Sequence, residues 1–481
     1  MATNRKYERG FRSFHLIPKI VSVICLSLVF LSALTVCDSP EAQSSSIKVG
    51  LGETVITPDE NVRMAGFARS QVSTGVHDDL HARSIVIEGK NGVSTVLMTI
   101  TLSGIGEEYA KSIREGITQK TGIPAENIVI SATHTHSGPN LRSASQNYQD
   151  YLVAQCIQCA VSAWEKRAPG KIGIGSTEVM ELGRNRRRLL YGGVHPDPEV
   201  GLIKIEDARG KLLGVAFNYG CHPSGLDWHN TLYSEDWPFY AIQGIKKSVG
   251  DDVWVAYFQG PEGNINVGYL AELSAVGVDM PVRTYWYIEL KGGQMADAVI
   301  KALPKVTTSA GVDVKTAQGL FDYPLRDSYP VTVEQAQLEA DAAKKILDEL
   351  EKKPEFQGTR ILDNASVDVF QTDQRLRAAK RFYSKDFPKT RSLEQQAVRI
   401  GDGIFVTFPG ELFSEIGLAI KKGSPLEKTF VIGVTAGPGG YLPGAKDFIE
   451  GDYEVNGSVY SPKTEQFCID SSLSLIRRVV K

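Results

Sequence analysis

From Ile47 onward the chain alternates short apolar runs, each ended by turn residues, with longer amphipathic segments. This alternation restricts the fold most, because short apolar strands must be covered by helices or by a second sheet. The pattern is α/β or α+β. Residues 84–88 and 94–102 flank Gly89-Lys90-Asn91-Gly92 and read as a β-hairpin. A helix is expected over 107–119, then a strand ending at His134; helices near 149–166 and after Pro238 alternate with strands near 201–205, 212–219 and 253–258. Residues 331–353 form a charged amphipathic helix with Val333, Ala336, Leu338, Ala342, Ile346 and Leu350 roughly on one side. A second hairpin (397–400 and 404–408), a helix entered through Pro409-Gly410-Glu411 and a strand over 429–434 close the series. With no internal repeat and no flexible linker, the economical reading is a single large α/β domain over 47–481, a mixed β-sheet core flanked by helices.

The formal net charge of −3 conceals an asymmetry: the first 19 residues carry Arg5, Lys6, Arg9, Arg12 and Lys19 against Glu8 alone, leaving about −7 for the rest. Such a body has no general electrostatic reason to bind nucleic acid. The charge-free stretch 20–37 follows the basic segment in the order of a secretory signal, so 1–43 is expected to be a signal peptide or N-terminal anchor and the body to be exported: periplasmic, extracellular or membrane-anchored. Cys25 and Cys37 fall in that leader. The remaining four cysteines are too few for a disulfide scaffold, and Cys156 and Cys159 lie in a helical pattern with no second pair to complete a zinc knuckle.

At the end of the apolar run 128–130 the chain reads Ser131-Ala132-Thr133-His134-Thr135-His136-Ser137-Gly138-Pro139. In an extended chain i and i+2 share a face, so one metal or one carbonyl group above the strand end would meet both imidazoles. Three other apolar strands also run into loops bearing metal-competent side chains: His222 after 212–219, Glu411 after Phe408-Pro409-Gly410, and Tyr441 among glycines. With His134 they make a nitrogen and oxygen set suited to zinc. Read singly, each has an ordinary structural explanation as a turn residue, a helix-start carboxylate or a packed aromatic ring.

The same segments carry a resemblance to the neutral ceramidases, zinc-dependent amidases that release a fatty acid and sphingosine from ceramide. The matching runs are Gly75-Val76-His77-Asp78-Asp79-Leu80-His81-Ala82-Arg83, Ala132 to Pro139, Phe217-Asn218-Tyr219-Gly220-Cys221-His222, Phe408-Pro409-Gly410-Glu411, and Gly440-Tyr441 with Tyr453-Glu454 twelve residues on. The resemblance implies a ceramidase-like catalytic domain over 47–481 that binds one Zn2+ per chain through His134, His222, Glu411 and Tyr441. It also implies that His136 and Tyr453 polarise the scissile carbonyl and that Arg186, in Asn185-Arg186-Arg187, lies on the substrate side. The expected partner is a small-molecule or lipid N-acyl substrate, with association at a membrane surface.

Two departures stand out. The family's Gly-Asp-Val-Ser-Pro-Asn segment reads Gly263-Asn264-Ile265-Asn266-Val267-Gly268 here, which removes the serine proposed as a nucleophile, and the family's C-terminal immunoglobulin-like domain has no counterpart residues. The leading expectation is a zinc hydrolase that cleaves a linear amide with activated water. A zinc hydrolase of another N-acyl or ester substrate, and a metal-binding scaffold without turnover, are the alternatives.

Overall fold

The computed structural model describes residues 46–69, 71–270 and 283–481. The leader with Cys25 and Cys37 lies outside the described residues. Eight strands form the main sheet: β1 (Lys48–Val55), β2 (His81–Glu88), β3 (Ser94–Ile100), β4 (Ile128–Ala132), β5 (Ala168–Glu178), β6 (Glu199–Asp207), β7 (Leu212–Tyr219) and β8 (Trp254–Gln259). Their spatial order is β8-β7-β6-β5-β1-β2-β3-β4. The interior pairs are antiparallel, whereas β3 with β4 and β7 with β8 are parallel. The sheet is therefore mixed, with a parallel pair at each edge. A second sheet consists of β9 (Val314–Pro324), β10 (Thr390–Ile400), β11 (Gly403–Thr407) and β12 (Thr429–Ile432), in that order.

Side-chain alternation explains the layering. Val86, Val96, Met98, Ile128 and Ile130 point to a core with helices α1 (Glu107–Thr121) and α2 (Gln146–Lys166). Their neighbours Ile85, Ile87, Leu97 and Val129 face the other way and pack on Val398, Ile400, Phe405, Phe430 and Ile432 of the second sheet. Helices α3 (Trp237–Val249) and α4 (Tyr285–Ala302) cover the β6-to-β8 half. On the far side of the second sheet lie α7 (Ser414–Gly423) and the C-terminal helix over Thr464–Val480. The result is helix, sheet, sheet, helix, and each fully buried Ile, Leu or Val contributes about 1.5–3 kcal/mol. In the chain between β9 and β10, α5 (Val333–Glu351) and α6 (Arg360–Phe382) pair around a small core of Ala336, Ala340, Leu376 and Ala379.

The mixed sheet flanked by helices agrees with the sequence reading, and both hairpins form. α4, α6 and the C-terminal helix were not anticipated. Their periodicity is diluted: α4 carries Gly292 and Gly293, and α6 is mostly charged or polar. Cys156 and Cys159 are buried on α2, where Cys159 Sγ donates to the Ala82 carbonyl, which is a packing role. Among the described residues no helix is long and apolar enough to cross a membrane.

Candidate metal and hydrolytic centre

Three strand ends of the main sheet meet. β4 delivers His134, β7 delivers His222, and β8 runs on through Gln259 to Glu262. The segment after β12 joins the two sheet edges: Ala132 N donates to Val434 O at 2.9 Å and Gly433 N to Gln259 O at 2.8 Å. The buried Gln259 side chain ties the loops together, its Nε2 donating to both Thr133 O and Cys221 O at 3.3 Å. Each of these carbonyls immediately precedes a histidine of the cluster.

The expectation that His134 and His136 share a strand face is corrected by the backbone. β4 ends at Ala132, and His134 sits at φ +69°, in the left-handed region where a non-glycine residue is costly. His134 N donates to Leu102 O and His136 N to Pro223 O, which holds the strained turn. The turn, not strand alternation, brings the rings together. Their centroids lie 5.1 Å apart, and the His222 ring lies 4.9 Å from His134 and 5.7 Å from His136. Close backbone packing sustains this: Gly66, at φ +91°, lies where a Cβ would come within 2.5 Å of His136 Cα.

Glu411 is in a short strand, Glu411–Leu412, that pairs in parallel with Tyr441–Leu442, so that Glu411 and Tyr441 are register partners. It lies three positions before the first residue of α7 and is not in the helix's first turn. The two loops touch at their glycines: a Cβ on Gly439 would fall 1.8 Å from Pro409 O. Glu411 Oε2 lies 3.2 Å from His222 Nε2 and 3.5 Å from His134 Nε2. Both other ring nitrogens are committed to carbonyls, His134 Nδ1 donating to Ser103 O at 2.5 Å and His222 Nδ1 to Ile265 O at 2.9 Å. In the neutral tautomer each Nε2 then presents a lone pair, so two nitrogens and a carboxylate oxygen converge as acceptors. Burial, reinforced by the Arg186 charge, holds His222 down at about 4, so it is neutral at pH 7. Burial and the other two imidazoles also push His136 well below its ordinary value.

Donor atoms about 2.1 Å from one ion in tetrahedral array lie about 3.4 Å from each other, which the 3.2 and 3.5 Å separations match. The residues present therefore fit a divalent cation. Glu262 joins them. Among the described residues one donor atom each from His134, Glu262 and Glu411 lie within 4.8 Å of one another, as do those of His134, His136 and His222. Glu262 is completely buried, and both its carboxylate oxygens lack a hydrogen-bond partner among the described residues. Burial, and next the charge of Glu411, raises its carboxyl far above the usual range. Sequence reasoning missed this residue; the available signal was an acidic side chain three positions past a strand end, beside Gly263.

Arg186 is buried behind the centre. Its Nε donates to Glu454 Oε1 at 2.7 Å, and its Nη2 to Gly263 O at 2.7 Å and to the Tyr441 hydroxyl at 3.2 Å. Glu454 also accepts from Arg187 Nη1 at 2.9 Å. Tyr453 stands beside Tyr441 with centroids 5.8 Å apart, on a short helix whose first N–H is capped by Asp452. Burial raises both phenols, most strongly assisted at Tyr441 by the Glu411 charge. All seven residues singled out from the sequence thus lie in one contiguous group.

The run from Gly75 to Arg83 contributes no atom to this cluster but supports it. The buried Glu235 carboxylate accepts from Arg83 Nη1 at 2.8 Å, His81 Nδ1 at 2.8 Å and Thr101 Oγ1 at 3.1 Å. Asp78 accepts from Ser234 Oγ and Glu235 N, and Ser234 O in turn accepts from Thr135 Oγ1, between the paired histidines. The two asparagines of the segment that departs from the family's pattern are also structural anchors. Asn266 Oδ1 accepts from Gly268 N and Tyr269 N while its Nδ2 donates to Tyr269 O. Asn264 Oδ1 accepts from Ser414 N, at the start of α7, and its Nδ2 donates to Glu415.

Residues 47–259 match the family described as neutral/alkaline non-lysosomal ceramidase, N-terminal. The chain is 27% identical to the neutral ceramidase of Oryza sativa subsp. japonica over 254 residues, 47% of this chain and 31% of that protein. To the neutral ceramidase of Pseudomonas aeruginosa it is 27% identical over 220 residues, 40% of this chain and 32% of that one. The matched stretch thus spans about a third of these relatives' length. In fold, the crystal structure of neutral ceramidase from Pseudomonas aeruginosa superposes with a TM-score of 0.67 over 90% of this chain and 75% of that chain, at 19% identity. Over residues 47–259 this chain is thus similar to the neutral/alkaline non-lysosomal ceramidases, and its fold is like theirs.

Proposed function

We propose that the protein is an exported zinc-dependent hydrolase that cleaves the linear amide of an N-acyl lipid of the ceramide type. The observation that carries this reading is the convergence of His134 Nε2, His222 Nε2 and Glu411 Oε2 at 3.2 and 3.5 Å separations, with both Nδ1 atoms committed to backbone carbonyls. The relatives named neutral ceramidase support the substrate class. His134, His222, Glu411 and the Tyr441 phenol would hold one zinc ion. When bound, the ion supplies Lewis-acid activation of water and carbonyl near neutral pH.

The chain's own groups supply the remainder. The carbonyl acceptors Ser103 and Ile265 fix both imidazole tautomers, so each Nε2 stays a lone-pair donor toward the ion. His136, neutral and buried against Phe67, and the Tyr453 hydroxyl are the donors for the oxygen of the scissile carbonyl, where one well-placed donor is worth about 3 kcal/mol in the transition state. Arg186 is a positioning residue: it fixes the Tyr441 hydroxyl and the Gly263 carbonyl while Glu454 balances its charge. Asn266 does not act as a nucleophile, because both ends of its amide are engaged with backbone.

The test pairs metal content with fatty-acid release from an N-acylsphingosine in mixed micelles. The purified protein is expected to carry about one zinc per chain and to lose hydrolysis on chelation, His222→Ala to lose both metal and activity, and His136→Ala to keep metal and lose rate by about 10²–10³. Stoichiometric zinc with no chelator-sensitive hydrolysis across N-acyl and ester substrates would instead establish a scaffold.

A further inference from the structure

Glu262 lies at the tip of the loop that leaves β8, in Gly260-Pro261-Glu262-Gly263, wholly inside the protein. A buried ionised carboxylate with no hydrogen-bond donor is costly and is retained where a cation answers it. No lysine, arginine or backbone N–H among the described residues donates to either oxygen. What Glu262 does face is the pair His134 and Glu411, with donor atoms mutually within 4.8 Å. Both of those are acceptors as well. Four acceptor side chains, His134, His222, Glu411 and Glu262, therefore close on one small volume from four different loops, after β4, β7, β11 and β8.

We propose that Glu262 is a further ligand of the metal centre, a second carboxylate that joins Glu411 around one divalent first-row cation. This rests on the metal-centre reading above. Charge supports it: Arg186 is already balanced by Glu454, so a dication with Glu411 alone leaves one net positive charge in a buried site, and Glu262 cancels it. Local packing supports it as well. A Cβ on Gly433 would fall 2.5 Å from Gly260 O and 3.0 Å from Glu262 Oε2, so the bare glycine lets the loop and its carboxylate seat against the segment that follows β12. Two carboxylates with two imidazoles make a harder donor set than one, which widens the choice from Zn2+ toward Mn2+ and Fe2+.

The test uses the full chain, stripped with chelator and titrated with Zn2+ alone against a competing chromophoric chelator, for the parent, Glu262→Gln, Glu262→Leu and His222→Ala. Both Glu262 variants are expected to weaken Zn2+ binding by about tenfold to a hundredfold or more. The metal-free Glu262→Leu variant is expected to melt at or above the parent's temperature, because a buried carboxyl without a hydrogen-bond partner has gone. A purely structural glutamate would lower that melting temperature instead. Zn2+ affinity within threefold of the parent in Glu262→Gln overturns the proposal while leaving the metal centre standing. Failure of the parent to bind, or binding undiminished in His222→Ala, overturns the centre itself and Glu262's place in it.

Discussion

Replacing Arg186 by methionine tests whether this side chain is the buried strut that the geometry describes. Removing one member of a buried ion pair typically costs about 3–5 kcal/mol, because the other charge is left behind. Glu454 keeps Arg187 at 2.9 Å, which places its share at the lower end. The Gly263 carbonyl and the Tyr441 hydroxyl each lose a donor, at about 1 kcal/mol apiece. A loss of about 5 kcal/mol is therefore expected. For a folded body of roughly 430 residues, at about 2.1 cal/mol/K of unfolding entropy per residue, that lowers Tm by about 5 °C. Calorimetry of metal-free protein checks the shift, and a cycle with Glu454→Gln is expected to show coupling above about 1 kcal/mol. A Tm within 1 °C of the parent, or strictly additive single changes, would refute the strut. Loss of hydrolysis without loss of stability would instead put the guanidinium on the substrate.

Three further outcomes follow from the surroundings of the centre. Asn266→Ser restores the family's residue but strips acceptors from the Gly268 and Tyr269 amides, so urea unfolding should show a loss of about 2 kcal/mol, with no gain in fatty-acid release. Gly66→Ala places a methyl at φ +91° and 2.5 Å from His136, and should cost at least about 1 kcal/mol and slow hydrolysis while zinc content holds. Burial alone would raise Glu235, but Arg83 and then His81 outweigh it and hold the carboxyl at about 2, against 4.5 when unfolded. A lowered folded value means that this stabilisation, about 3 kcal/mol, is complete above pH 4.5 and lost as pH falls to 2. Glu235→Gln should remove that limb from a plot of urea midpoint against pH, and an unchanged acid limb would sink the assignment.

The legible and hidden parts of this site separate by the range of the interactions that create them. His134, His222 and Glu411 could be picked out because each follows an apolar strand whose end is a local sequence event. Their meeting is not local: it needs the parallel pairs at both sheet edges and the Gly433-to-Ala436 crossing that joins them. The pairing of His134 with His136 was read with the wrong geometry, since period-two alternation supposes an extended chain and the backbone leaves it at His134. The carbonyls of Leu102, Pro223 and Ser234, all far away in sequence, help to hold that turn. Glu262 was hidden for the opposite reason. A glutamate after Gly-Pro reads as an exposed turn, and its burial follows from Gly433 and Glu411 closing over it from the second sheet. The asparagines at 264 and 266 show the same limit, because their difference from the serine-bearing family pattern was visible but their employment as amide anchors for α7 and for the Gly268 turn was not. What the strand ends announce is therefore the donor chemistry, and what the long-range contacts decide is how many donors there are and whether a cation must answer them.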